Sequence, residues 1–141
     1  MTRRNDETPT ALLRDVLEEF DCTSGTLHRA EGDELTLVAQ EGIPDTVVAE
    51  IETIPFGKGM AGLAAERREP VQVCNLQTDD SGVVEPGARE TMLEGSIAAP
   101  IIGLSGTLEG TLGIAKLEPY EFTPTERDRL MRVGARIAQR L

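Results

Sequence analysis

Residues 54–76 read IPFGKGMAGLAAERREPVQVCNL. Three glycines, Gly57, Gly59 and Gly62, fall within six positions and lead into a run of small residues. A phosphate-cradling P-loop needs G-x-x-x-x-G-K-[ST], but Lys58 sits between Gly57 and Gly59 and Met60 follows. GKGMAG does match the dinucleotide spacing G-x-G-x-x-G, which requires a strand and a helix of an alternating βαβ chain around it. That alternation is missing. Backbone geometry is the better account: Gly57 and Gly59 permit a tight turn, and Gly62 with Ala61, Ala64 and Ala65 lets a helix approach a sheet closely. Pro70 then stops the helix, and VQVCNL (71–76) alternates with the period of a strand.

Upstream, TPTALLRDVLEEF (8–20) predicts a helix, with Thr8 as cap, Pro9 at the first position, and Leu13, Val16, Leu17 and Phe20 at helical spacing. CTSGTLHRA (22–30) and LTLVAQ (35–40) predict a hairpin turning near Gly32. IPDTVVAEI (43–51) predicts a short helix with Val47, Val48 and Ile51 as its apolar side. Downstream, QTDDSGVVEPGARE (77–90) is an acidic, turn-rich loop long enough to serve a function. GSIAAPIIG (95–103) and GTLGIAKLE (110–118) predict two further strands. The last helix starts with clear signals: Thr123 as cap, Pro124 next, and Glu126 completing a T-x-x-E capping box. Its apolar stripe is Leu130, Val133, Ile137 and Leu141. Hairpins interspersed with helices imply an α+β chain built on a mainly antiparallel sheet.

The 141 residues suit one domain, residues 1–141, with a polar arm over residues 1–7. Aromatics are few (Phe20, Phe56, Phe122 and Tyr120), so stacking platforms for single-stranded nucleic acid are not expected. A net charge of −11 also argues against a phosphate backbone as partner. On the last helix, Arg129, Arg132, Arg136 and Arg140 read as a solvated face that complements the helix dipole. No apolar run approaches the roughly 18 residues of a membrane span, and residues 1–10 show no secretion signal. Cys22 and Cys74 are too few and too far apart for a disulfide scaffold, so a cytoplasmic location with reduced thiols is expected. His28, the lone histidine, reads as a hydrogen-bonded structural residue, and neither a metal nor a cofactor is expected.

Three ordered fragments carry a resemblance to the GAF domain family. They are the glycine turn with its helix and PVQV strand, the strand GSIAAPIIG, and the ending GTLGIAKLEPYEFTPTERDRLMRVGARIAQRL. The resemblance spans essentially the whole chain. It implies a central antiparallel sheet of five to six strands, terminal helices on one face and a ligand pocket on the other. One departure is Asn75, where many members carry Asp; Asn retains the Asx turn without the charge.

By that resemblance, Phe56, Met60, Cys74, Met92 and Ser96 are expected to approach a cavity between the sheet and segments 54–65 and 77–95. The expected function is a non-catalytic small-molecule sensor. It would relay through the first and last helices, act as a homodimer through them, and pass its signal to a separate output protein. An interaction module with a vestigial pocket is the alternative. A free methionine-R-sulfoxide reductase is the enzyme alternative, but its loop thiols have no counterpart in ETMLEGSIAAPI (90–101). Cys22 is followed by Thr23 and Cys74 by Asn75, so the Cys-His pair of bilin-binding members is missing. The cyclic-nucleotide signature N-K-x-x-F-x-x-x-D-E is missing as well.

Overall fold

The computed structural model describes residues 8–141; the arm expected over residues 1–7 lies outside the described residues. Thr8 accepts from the Ala11 N–H at 3.1 Å and opens α1 (Pro9–Glu19), whose Leu13, Val16 and Leu17 are buried. β1 (Ser24–Glu31) and β2 (Glu34–Glu41) form the hairpin, turning at Gly32 with φ 67°. After them come α2 (Asp45–Glu50), β3 (Thr53–Pro55), α3 (Gly59–Arg67), β4 (Val71–Val73) and α4 (Pro86–Arg89). β5 (Ser96–Ile102), β6 (Leu108–Ala115), α5 (Pro124–Ile137) and a 3-10 turn, Ala138–Arg140, complete the chain.

The sheet has six strands in the order β3-β2-β1-β6-β5-β4, and every neighbouring pair is antiparallel. Its register sets its two faces. Thr26, Gly113 and Ala98 lie side by side on one face, as do Ser24, Ala115 and Ser96. Leu27, Leu112 and Ala99 lie on the other, with Ile97, Ile101 and Ile114. That aliphatic face packs against α1 and α5 through Leu13, Leu17, Leu130, Val133 and Ile137, with Phe122 buried among them. α3 covers part of the small-residue face, where Ala64 meets Val71 and Ala98. Pro100 is tolerated in β5 because β4 pairs only with Ser96–Ala98 and ends short of it.

The start of α5 is the capping box expected: Thr123 Oγ1 accepts from the Glu126 N–H at 3.1 Å, and Glu126 accepts from the Thr123 N–H at 2.8 Å. Glu126 also accepts from the Tyr120 hydroxyl. At the end of α1, the buried Lys116 donates to the carbonyls of Phe20 and Asp21 at 3.0 and 2.8 Å. A cation against those outward-facing carbonyls is favoured by the helix dipole.

Candidate functional site

Small side chains leave space above the sheet. Ser24, Thr26, Ser96, Ala98 and Ala115 make a floor too short to meet its roof, and a cavity of about 620 Å³ results. Small-molecule sites commonly have such volumes. The roof is apolar, with Val47 and Ile51 of α2 and its end, Ile54 of β3, Met60 of α3, and Val84 and Leu93 from the loop.

The glycines assemble that roof. Gly57 and Gly59 take φ of 90° and 66°, conformations that a side chain would strain. A Cβ on Gly62 would stand 2.6 Å from the Pro55 carbonyl oxygen. The close approach expected of Gly62 is therefore to the turn entering its own helix. Over this turn lies the loop: Glu85 Cγ stands 3.2 Å from where a Cβ on Gly59 would be, and a Glu50 carboxylate oxygen rests against Gly87. α2, α3 and α4 thus meet above the floor.

His28 anchors the roof to the sheet. Its Nε2 lies 2.9 Å from the Ile51 carbonyl, which can only accept, so Nε2 carries the proton. Nδ1 is then a lone-pair acceptor in the neutral ring, and it has no partner among the described residues. Directly across the β1–β6 ladder, Thr111 Oγ1 is also buried and has no hydrogen-bond partner among the described residues. Burial pushes the His28 pKa below the ordinary 6.5, opposed by the Ile51 bond. The structural hydrogen bond expected of His28 is present, and the residue also lines the cavity.

Among the described residues, four charged groups line the cavity: Glu50, Glu85, Glu90 and Lys58. All four residues are exposed. The loop's guanidinium, Arg89, is held by the carbonyls of Leu76 and Asp79.

Of the five residues expected at the cavity, Met60 and Ser96 line it, while Phe56, Cys74 and Met92 do not. Cys74 is displaced because β4 ends at Val73 instead of continuing to Leu76. Asn75 Oδ1 accepts from the Gln77 N–H at 2.9 Å and turns the chain, leaving Cys74 exposed. Met92 takes φ 66° and is 72 % exposed, directed outward. The Phe56 N–H donates to the Asp33 carbonyl, placing Phe56 toward the β1–β2 turn. The titratable groups at the cavity that the sequence does not place there are His28, Glu50, Lys58, Glu85 and Glu90. Only the acidity of segment 77–90 offered a signal for any of them.

Neither thiol lines the cavity. Cys22 packs against the helix-side core, where burial pushes its thiol up to about 11. Among the described residues, no group of three or more His, Cys, Asp or Glu could hold a metal ion. No described helix is long and apolar enough to cross a membrane.

The GAF domain family profile matches residues 6–141, and the chain belongs to that family. No curated protein matches the chain. The fold is similar to the GAF domain from a phosphoenolpyruvate-protein phosphotransferase of Coxiella burnetii, with TM-score 0.76 and 23% identity over 99% of this chain and 86% of that one. It is similar to a domain described as part of a two-component sensor histidine kinase protein from Sinorhizobium meliloti 1021, with TM-score 0.73 and 14% identity over 98% and 91%. A third similar structure is a type II free methionine-R-sulfoxide reductase from Thermoplasma acidophilum, with TM-score 0.73 and 17% identity over 93% and 87%. At these identities the likeness establishes the fold.

Proposed function

We propose that this chain is a non-catalytic sensory module that binds a small molecule in the cavity and relays its occupancy through α1 and α5. The observation carrying this reading is the cavity of about 620 Å³, apolar in its roof and floored by the strands that carry the terminal helices behind them. In β5, Ala98 faces the cavity while Ile97 and Ala99 belong to the helix-side core. A ligand that prefers one sheet curvature therefore changes the seat of both helices, by as much as its affinities for the two states differ. Signal output then passes to a separate protein.

The alternative thiol chemistry finds no support at the site. Sulfoxide reduction by cysteine needs a thiolate that reaches the substrate and a second thiol or reductant to resolve the product. Cys22 is partly buried against the core on the opposite side of the sheet, and Cys74 stands outside the cavity.

Native mass spectrometry of the full chain, followed by thermal unfolding with each co-purifying compound, tests the proposal. A cavity ligand at 100 times its Kd stabilises the fold by about 2.7 kcal/mol. Turnover of methionine-R-sulfoxide that is lost on Cys74→Ser overturns the non-catalytic reading.

A further inference from the structure

Among the described residues, Lys116 is the one lysine, arginine or carboxylate that is buried, at 7 % exposure. It follows Ala115, the end of β6, which forms part of the cavity floor and shares an apolar cluster with Leu93 of the loop. Backbone bonds tie Lys116 to that loop: its carbonyl accepts from the Glu94 N–H and its N–H donates to the Gly95 carbonyl, both at 2.8 Å. The joint has no slack, because a Cβ on Gly95 would stand 2.8 Å from the backbone nitrogen of Tyr120.

The side chain reaches both terminal helices. Its ammonium donates to the carbonyls of Phe20 and Asp21, where α1 ends and Asp21 takes φ 55°. It also stands 4.7 Å from the centre of the Tyr120 ring. The Tyr120 hydroxyl donates to Glu126 at 2.8 Å, and Glu126 caps α5 by accepting from the Thr123 N–H. One residue thus touches the loop over the cavity, the last carbonyls of α1 and the ring that bonds the first turn of α5.

A buried cation stripped of such contacts is left without compensation. Its partners therefore follow it, and a shift of residues 93–95 reaches both helix ends. We propose that Lys116 is the positioning residue that carries the state of the cavity loop to the end of α1 and the start of α5. The inference rests on the sensory reading and specifies its relay. A competing route is the ladder bond from the Thr23 N–H to the Ala115 carbonyl, which bypasses the ammonium.

The test needs no ligand. Leu93→Ala in the full chain, labelled with ¹³C and ¹⁵N, loosens the loop where it packs on Ala115. The readouts are the Phe20 carbonyl and the Thr123 amide resonances, and both are expected to move. In a Lys116→Met background, which keeps the apolar stem and removes the charge, the same change should move neither. In a Tyr120→Phe background, which keeps the ring beside the ammonium and removes the bond to Glu126, Phe20 should still move while Thr123 stays in place. A role confined to stability would leave the response to Leu93→Ala alike in all three backgrounds.

A Phe20 response that survives Lys116→Met assigns the relay to the Thr23 ladder and overturns the proposal. So does a Thr123 response that survives Tyr120→Phe, or the absence of both responses when Leu93→Ala is the only change. None of these results bears on whether the cavity binds a compound, which mass spectrometry and thermal unfolding decide separately. Leu93→Val replaces Leu93→Ala should the larger cut unfold the chain, and the Tyr120→Phe background decides alone should Lys116→Met do so.

Discussion

His28 joins the sheet to the cavity roof through one hydrogen bond, and its burial makes that joint sensitive to pH. Burial holds its pKa below 6.5 in the folded chain, while the unfolded histidine titrates near that ordinary value. Between the two values the unfolded chain binds the extra proton. Stability therefore falls as pH drops from about 6.5 toward the folded value, and levels off below it. The hydrogen bond to the Ile51 carbonyl favours the charged ring, which moderates the fall without changing its sign. The His28→Gln variant keeps an amide donor for the Ile51 carbonyl and lacks the titration. Urea denaturation from pH 7.5 to 5 is expected to show a steeper loss for the parent chain than for the variant, and identical slopes would refute the assignment. The sequence reads His28 as a hydrogen-bonded structural residue, but it names neither the Ile51 partner nor the cavity beside it. A lone histidine in an alternating strand gives no sign of which face it takes; the unbroken β1–β6 register places it opposite Thr111, on the face of Ser24 and Thr26.

At the scale of elements, local chemistry wrote what local chemistry could decide. The caps at Thr8 and Thr123 and the turn at Gly57–Gly59 follow from one or two residues and their immediate neighbours, whereas α3 ends at Arg67, ahead of Pro70, where Arg68 takes the left-handed conformation with φ 60°. β3 and α4 were invisible because three and four residues complete no period, and β3 exists only as a partner of β2. The end of β4 was read too far along because VQVCNL keeps alternating, although the Asn75 turn interrupts the ladder. The cavity itself is assembled from segments far apart in the chain, so its lining could be read only in part. Gly62 supplies the test at this scale. Its Cβ position lies 2.6 Å from a backbone oxygen, which cannot rotate away as a side chain could. The Gly62→Ala variant is expected to lose about 1–3 kcal/mol as α3 shifts off the turn. A urea midpoint equal to that of the parent chain would refute this account of the glycine.

The whole molecule presents α1 and α5 side by side on one face of its sheet, and there we propose the homodimer contact. Part of the apolar width of α5 is used within the subunit. A Cβ on Gly134 would contact Ile101, and Met131 and Ala138 pack against the core. What remains is a shallow groove between the helices, lined by Leu12, Val16, Asp15 and Glu19 on one side and by Val133, Ile137 and Arg136 on the other. The charges divide similarly. Arg129 lies 3.2 Å from Glu19 in the same chain, a charge contact without hydrogen-bond alignment, and its guanidinium stacks over Phe20. Asp15 and Glu18 have no described ion pair, nor do Arg132 and Arg136. In a twofold dimer, acidic α1 of one subunit can face basic α5 of its partner twice, by symmetry. Exposed pairs contribute only about 0–1 kcal/mol each, so the charges set orientation, and further affinity has to come from the exposed surface of the two helices, since Val16, Val133 and Ile137 are already buried within the subunit. Sedimentation equilibrium at micromolar concentration is expected to give twice the mass of the chain. Reversing Arg132 and Arg136 to glutamate should weaken association roughly tenfold, about 1.4 kcal/mol, with the difference shrinking at high salt. A monomer mass at both low and high salt would remove the dimer, and with it the route by which two helices could report cavity occupancy to a partner subunit.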